Sequence, residues 1–224
     1  MPRTLFSVLL FAVGCGPTAP EATVQVVEES FESQLASVRA ARTDTVSVAA
    51  ELIDDEQLVK LRGVDGIRQL LLENTSVTDA GIRELAGLSK LQHLRLRGAR
   101  VGDASLKVLA TLVELRFLNL PQARFTDRGL AELVSLEDLE LLRFGSPNVT
   151  DAGMKQIAKL PSLRFLHLIG VPISDEGLDE LEGLTQLESL YLDDIDVGDE
   201  AIEQLLTALP ELHFHINQAH YERR

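Results

Sequence analysis

One cysteine, five histidines and seven evenly spaced aspartates are the side chains of this 224-residue sequence best suited to chemistry, and their spacing limits what that chemistry is. The aspartates, Asp55, Asp79, Asp103, Asp127, Asp151, Asp175 and Asp199, recur every 24 residues. A row of carboxylates at a fixed interval is one way to coordinate calcium. It is also what a series of helix caps looks like. An Asp at a helix start accepts the first unpaired amide hydrogens and sits at the positive end of the dipole, for about 1 kcal/mol apiece. The contexts Val-Thr-Asp-Ala-Gly-Ile (77–82), Phe-Thr-Asp-Arg-Gly-Leu (125–130) and Ile-Ser-Asp-Glu-Gly-Leu (173–178) favour the cap, and the glycine-rich nonapeptide of calcium-binding β-rolls is absent.

The histidines offer little catalysis. His213, His215 and His220 lie close in sequence, but zinc usually takes four ligands at defined spacing and no fourth is at hand. No phosphate-binding glycine loop, metal-binding helix motif or nucleophile elbow occurs. The residues flanking the repeats are too few for a catalytic domain. The expectation is a protein that is not an enzyme and uses no metal or cofactor.

A second set of residues shares the 24-residue interval and has the chemistry of recognition. Arg116, Glu140 and Arg164 form one column, Phe117, Leu141 and Phe165 the next, and Arg95, Asn119, Arg143 and His167, with Tyr191 beyond, a third. Arginine and aromatic side chains often dominate binding energy.

The elements that must carry these columns follow from the apolar pattern. Seven frames open at Thr43, Ile67, Leu91, Leu115, Leu139, Leu163 and Leu187, the last with one extra residue. Slots 1, 4, 6, 11, 16, 19 and 22 of each frame are apolar except for Thr43. Slots 4 and 6 alternate with polar neighbours, which marks a short strand, and slots 16, 19 and 22 have helical spacing. A unit of strand and helix that cannot bury its own apolar face must stack on the next, giving a solenoid. Its strands run parallel about 4.8 Å apart, a sheet roughly 30 Å across. Slots 2, 3, 5 and 7 project from the open side of that sheet, so the three columns form one grid. His93 and His167 then stand three strands apart, about 14 Å, too far to share a proton or metal.

The Leu-x-x-Leu-x-Leu strand followed by the Thr-Asp-x-Gly turn resembles the leucine-rich repeat family, along three-quarters of the chain, and is most similar to its ribonuclease-inhibitor-like and cysteine-containing subclasses. The resemblance implies an α/β solenoid with a curved parallel sheet on the concave side and short helices on the convex side. It is nearly silent on function, since the fold serves many partners. Slot 9, which carries Asn or Cys in many members, here holds Glu51, Thr75, Ala99, Ala123, Pro147, Val171 and Ile195. Water or loop backbone is therefore expected to bond the loop carbonyls.

The first residues read as an export signal. Arg3 precedes an apolar run from Leu5 to Val13, too short to span a bilayer, and Ala12-Val13-Gly14-Cys15 follows. This segment resembles the lipobox of bacterial lipoproteins, although Ala12 replaces the usual Leu or Val. The resemblance implies that residues 1–14 are removed and that Cys15, the only thiol, is lipidated and holds the protein to a membrane in the cell envelope. Plain secretion or a periplasmic location is the alternative. Residues 15–22 then form a tether, 23–42 an N-terminal capping helix, 43–216 the repeats with a final strand, and 217–224 a polar tail.

Thirty-five acidic against 21 basic residues give a formal charge of −14, which disfavours nucleic acid. The acids crowd the helix faces, whereas the centre of the sheet is basic and apolar. The reading is a monomeric binding protein that takes another protein on Arg95, Arg116, Phe117, Asn119, Leu141, Arg143, Arg164, Phe165, His167 and Tyr191. A polysaccharide stacked on the aromatic rings is the alternative, and a structural spacer without ligand a third.

Overall fold

A computed structural model describes residues 29–221; the signal segment, Cys15 and the tether lie outside the described residues, as do the start of the capping segment and the end of the tail. Nine strands form one sheet in chain order, β1 (Thr45–Val48), β2 (Gln69–Leu72), β3 (His93–Leu96), β4 (Phe117–Leu120), β5 (Leu141–Phe144), β6 (Phe165–Ile169), β7 (Ser189–Asp193), β8 (His213–Ile216) and β9 (Ala219–His220). The first eight run parallel, and β9 turns back antiparallel on β8. Short helices alternate with them: α2 (Asp55–Leu58), α3 (Asp79–Ile82), α4 (Asp103–Leu109), α5 (Asp127–Glu132), α6 (Asp151–Ile157), α7 (Asp175–Asp179) and α8 (Asp199–Ala208). A leading helix, α1 (Phe31–Arg39), covers the first repeat by burying Phe31, Leu35 and Val38.

Each frame contributes its apolar slots to one continuous core, from Val46 and Val48 on β1 to Phe214 on β8. Phe125 and Phe144 fill its middle, with ring centroids 5.1 Å apart. No single unit encloses this core; it exists only because the units stack. The ladder offset is 24 residues at every parallel step, including Leu190 to Phe214. The extra residue expected in the last frame is therefore corrected: strand to strand that frame also has 24 residues, and only the turn after α8 departs from the pattern. There Leu209 and Leu212 are buried one position later than their counterparts, and the strand resumes in step.

The aspartates are not the helix caps that their spacing predicts. None of the helices from α3 to α8 is capped by its Asp. The caps are the residues before it: Thr78, Thr126 and Thr150 accept from a main-chain amide of the first turn, while Gly102, Ser174 and Gly198 make no side-chain cap bond. The carboxylates from Asp55 to Asp175 instead reach forward to the next repeat. The Thr150 amide and hydroxyl both donate to Asp127, at 2.8 and 2.9 Å, and the same pair of bonds joins Thr78 to Asp55, Thr126 to Asp103 and Ser174 to Asp151. The column is a ladder between units. It also explains the recurring glycine of the turn, because a Cβ on Gly81 or Gly177 would stand 2.3 or 2.2 Å from the carboxylate of the preceding repeat.

The loops lack the slot-9 ladder, and backbone bonds such as Arg100 to Val77 and Arg124 to Val101 replace part of it, as expected. Side chains supply the rest. Thr75 donates to the Arg97 carbonyl, Ser146 to that of Phe125 and Asn148 to that of Arg124, while Gln122 accepts from the Gly98 amide.

Candidate functional site

Strand alternation places the predicted columns on the sheet face opposite the helices. Pairing registers Phe117, Leu141 and Phe165 side by side on β4, β5 and β6, and Asn119, Arg143 and His167 likewise one pleat further along. The structure thus brings the predicted residues together as a grid. Phe117, Leu141 and Phe165 are half-buried, less open than the sequence suggested, because neighbours on adjacent strands cover their flanks. The strongly exposed apolar side chains, Leu52, Val59 and Val113, lie outside the grid.

Arginine and phenylalanine work in pairs at the strand entries. The Arg116 guanidinium lies over the Phe117 ring, 5.6 Å from its centroid, and Arg164 lies over Phe165 at 5.4 Å. Each is also tied to the glutamate just before the next strand: Arg116 Nε donates to Glu140 at 3.1 Å and Arg164 Nε to Glu188 at 2.8 Å. Arg95 sits 3.0 Å from Glu73, and Arg97 shares that carboxylate at 3.6 Å. The basic centre read from the sequence is therefore mostly neutralised. Glu73, Glu140 and Glu188 are the partners not paired from the sequence, and the signal for all three is there: a 24-residue offset puts Glu73 beside Arg97, Glu140 beside Arg116 and Glu188 beside Arg164.

Arg143 stands apart. Among the described residues it has no carboxylate within ion-pair distance, and its Nε is shut off from solvent with no hydrogen-bond partner. Burial, together with the nearby charges of Arg95 and Arg97, pushes its pKa below the ordinary guanidinium value. Opposite it on β4, Asn119 is only 8% exposed, and its Oδ1 also lacks a partner.

Aromatic rings continue the row. His167 Nε2 is 2.8 Å from an Asp193 carboxylate oxygen, and its ring contacts Tyr191, which stacks on His215 with centroids 4.4 Å apart. Burial holds the His167 pKa below the usual imidazole value, the Asp193 hydrogen bond opposing it and Arg143 adding to it. His93, tilted against Phe117, is lowered by burial and then by Arg95.

No family model matches the sequence, and no curated protein matches it. Among solved structures, internalin C2 of Listeria monocytogenes aligns with a TM-score of 0.60 at 22% identity, over 81% of this chain and 83% of that one. The fold is that of a leucine-rich repeat solenoid. At that identity the likeness is one of fold. In such a solenoid every strand presents one side chain per pleat to the same open face, so residues far apart in sequence act as one surface. No described helix of this solenoid is long and apolar enough to cross a membrane.

Proposed function

We propose that this protein is an exported binding scaffold, held to the cell envelope by lipid on Cys15, that recognises another protein on the concave face of its solenoid. The observation that carries the reading is the grid itself. Phe117, Leu141 and Phe165 lie in one register row with guanidinium groups along one side and Arg143 on the other. The fold does not require this composition, since slots 3 and 5 hold Thr45, Ser47, Gln69 and Ser189 elsewhere on the same sheet. Half-buried apolar side chains beside arginine have the make-up of an interface core with a polar rim.

A sugar would need open ring faces. Phe117 and Phe165 each already carry a guanidinium over the ring, which favours a protein partner over a stacked polysaccharide. The test is capture from an envelope extract beside a glycan array, using the wild type and Phe117→Ala/Phe165→Ala. A protein recovered by the wild type and lost by the double variant supports the reading; retention by both sends the site elsewhere. Lipidation is tested separately by labelling with a fatty-acid analogue: label must appear on the wild type and vanish in Cys15→Ser.

A further inference from the structure

Four of the five arginines on or beside the centre of the sheet are matched by carboxylates: Arg95 and Arg97 by Glu73, Arg116 by Glu140 and Arg164 by Glu188. Arg143, the fifth, is the most central and has none. Its nearest carboxylates on this face are already engaged, Glu73 with the two arginines and Asp193 with His167. A half-buried cation with no ion pair of its own, repelled by Arg95 and Arg97 and attracted only by two carboxylates already engaged elsewhere, is costly to fold around. Beside it the Oδ1 of Asn119, a nine-tenths buried side chain, also lacks a hydrogen-bond partner, so the pair is a polar spot the fold leaves unfilled.

We infer that Arg143 is the seat for a side-chain carboxylate of an acidic, partly apolar peptide segment of the partner protein, an inference that rests on the concave face being the binding face. A guanidinium presents a planar fork that a carboxylate meets with two parallel hydrogen bonds. A peptide carboxylate brings the acceptor that Arg143 lacks; Asn119 Oδ1 and Arg143 Nε, both closed to solvent, lie beneath the contact. The peptide's neighbouring apolar side chains meet the Phe117–Leu141–Phe165 row one pleat away. A polyanion fits worse. One carboxylate is neutralised by Arg143, whereas a run of sulfates would extend over Glu73, Glu140, Glu188 and Asp193, which surround the spot.

The test is a random-peptide display selection on the immobilised full chain, followed by anisotropy titration of the selected peptides and their Glu→Gln or Asp→Asn versions. Selected peptides should carry an acidic residue. Arg143→Gln should weaken them about tenfold or more, and Arg128→Gln on the convex side by less than about twofold. Neutralising the peptide acid should weaken binding to the wild type but add nothing in Arg143→Gln. Arg143→Gln should melt at or above the wild-type temperature, since it removes an unmatched cation; a large drop would mean an internal structural role and overturn the inference. If Phe117→Ala/Phe165→Ala abolishes binding while Arg143→Gln leaves it intact, the anchor is wrong and the concave site stands. If neither changes it, both readings fall. Heparin binding through Arg143 with no acidic peptide enriched would give the spot to a polysaccharide and overturn the proposal.

Discussion

Asp79 shows how closely single residues are matched across the repeats. Wherever the residue before the recurring Asp is Thr or Ser, it gives a hydroxyl to the carboxylate of the previous repeat and a glycine follows three positions later. In the third frame the order is reversed. Residue 102 is glycine, and Ser105, buried in the place of that later glycine, supplies the hydroxyl to Asp79 instead. Ser105→Ala should therefore cost about 1–3 kcal/mol in urea denaturation, the value of a hydrogen bond to a charged group, and Gly102→Thr in that background should restore most of it. Independent, unrestored losses would show that the two positions do not exchange one bond. Asp127→Ala removes two such bonds and should cost about 2 kcal/mol or more, beyond the value of a helix cap, with no change in any melting response to calcium. The spacing of these residues was legible in the sequence and their role was not. A column repeated at the unit length looks the same whether its bonds run within a unit or between units, and only the stacking distance decides.

At the scale of elements, edges and rows set the behaviour. The outer edge of β1 is closed by a side chain: the Gln34 amide donates to the Ser47 carbonyl at 2.6 Å and accepts from its N–H at 2.7 Å, standing in for a neighbouring strand. Gln34→Ala should lower stability by about 1 kcal/mol and open an unpaired edge, read as concentration-dependent light scattering. Strand rows also carry a pH response. His93 on β3 and His167 on β6 are held below the ordinary imidazole value, chiefly by burial, so the folded state binds fewer protons than the unfolded chain. Their contribution is present in full above about pH 6.5 and is lost as the pH falls through their lower folded values. Melting temperature should drop over that range, and His93→Gln/His167→Gln should flatten the drop; an unchanged profile would remove both from the account. The apolar slots announced strands and helices well, because burial on one face imposes a period. The charge pairing was also legible, because the same 24-residue interval sets Arg116 beside Glu140, but its geometry needed the strands laid side by side.

The whole molecule is a stack in which the bonds described above link each unit chiefly to its neighbours, through an unvarying 24-residue strand offset and a repeated carboxylate. The sequence made that architecture plain. Taken column by column it suggested an arginine-rich surface, which among the described residues is a mostly neutral one with Arg143 left outside the ion pairs. The regular offset also makes length a free variable. A second copy of residues 127–150 inserted after Thr150 would begin with an Asp and end with a Thr. The carboxylate ladder would then repeat, at the new junction, the contact already made between Asp127 and Thr150. The enlarged protein should fold with one more strand, widening the open face by about 4.8 Å and pushing the C-terminal histidine and tyrosine rings one step further from Phe117. Surface area would grow by tandem duplication at the cost of setting Arg143 and Glu140 beside their own copies, so a protein of this kind can be fitted to a larger partner by changing how many units it counts once those two positions are varied.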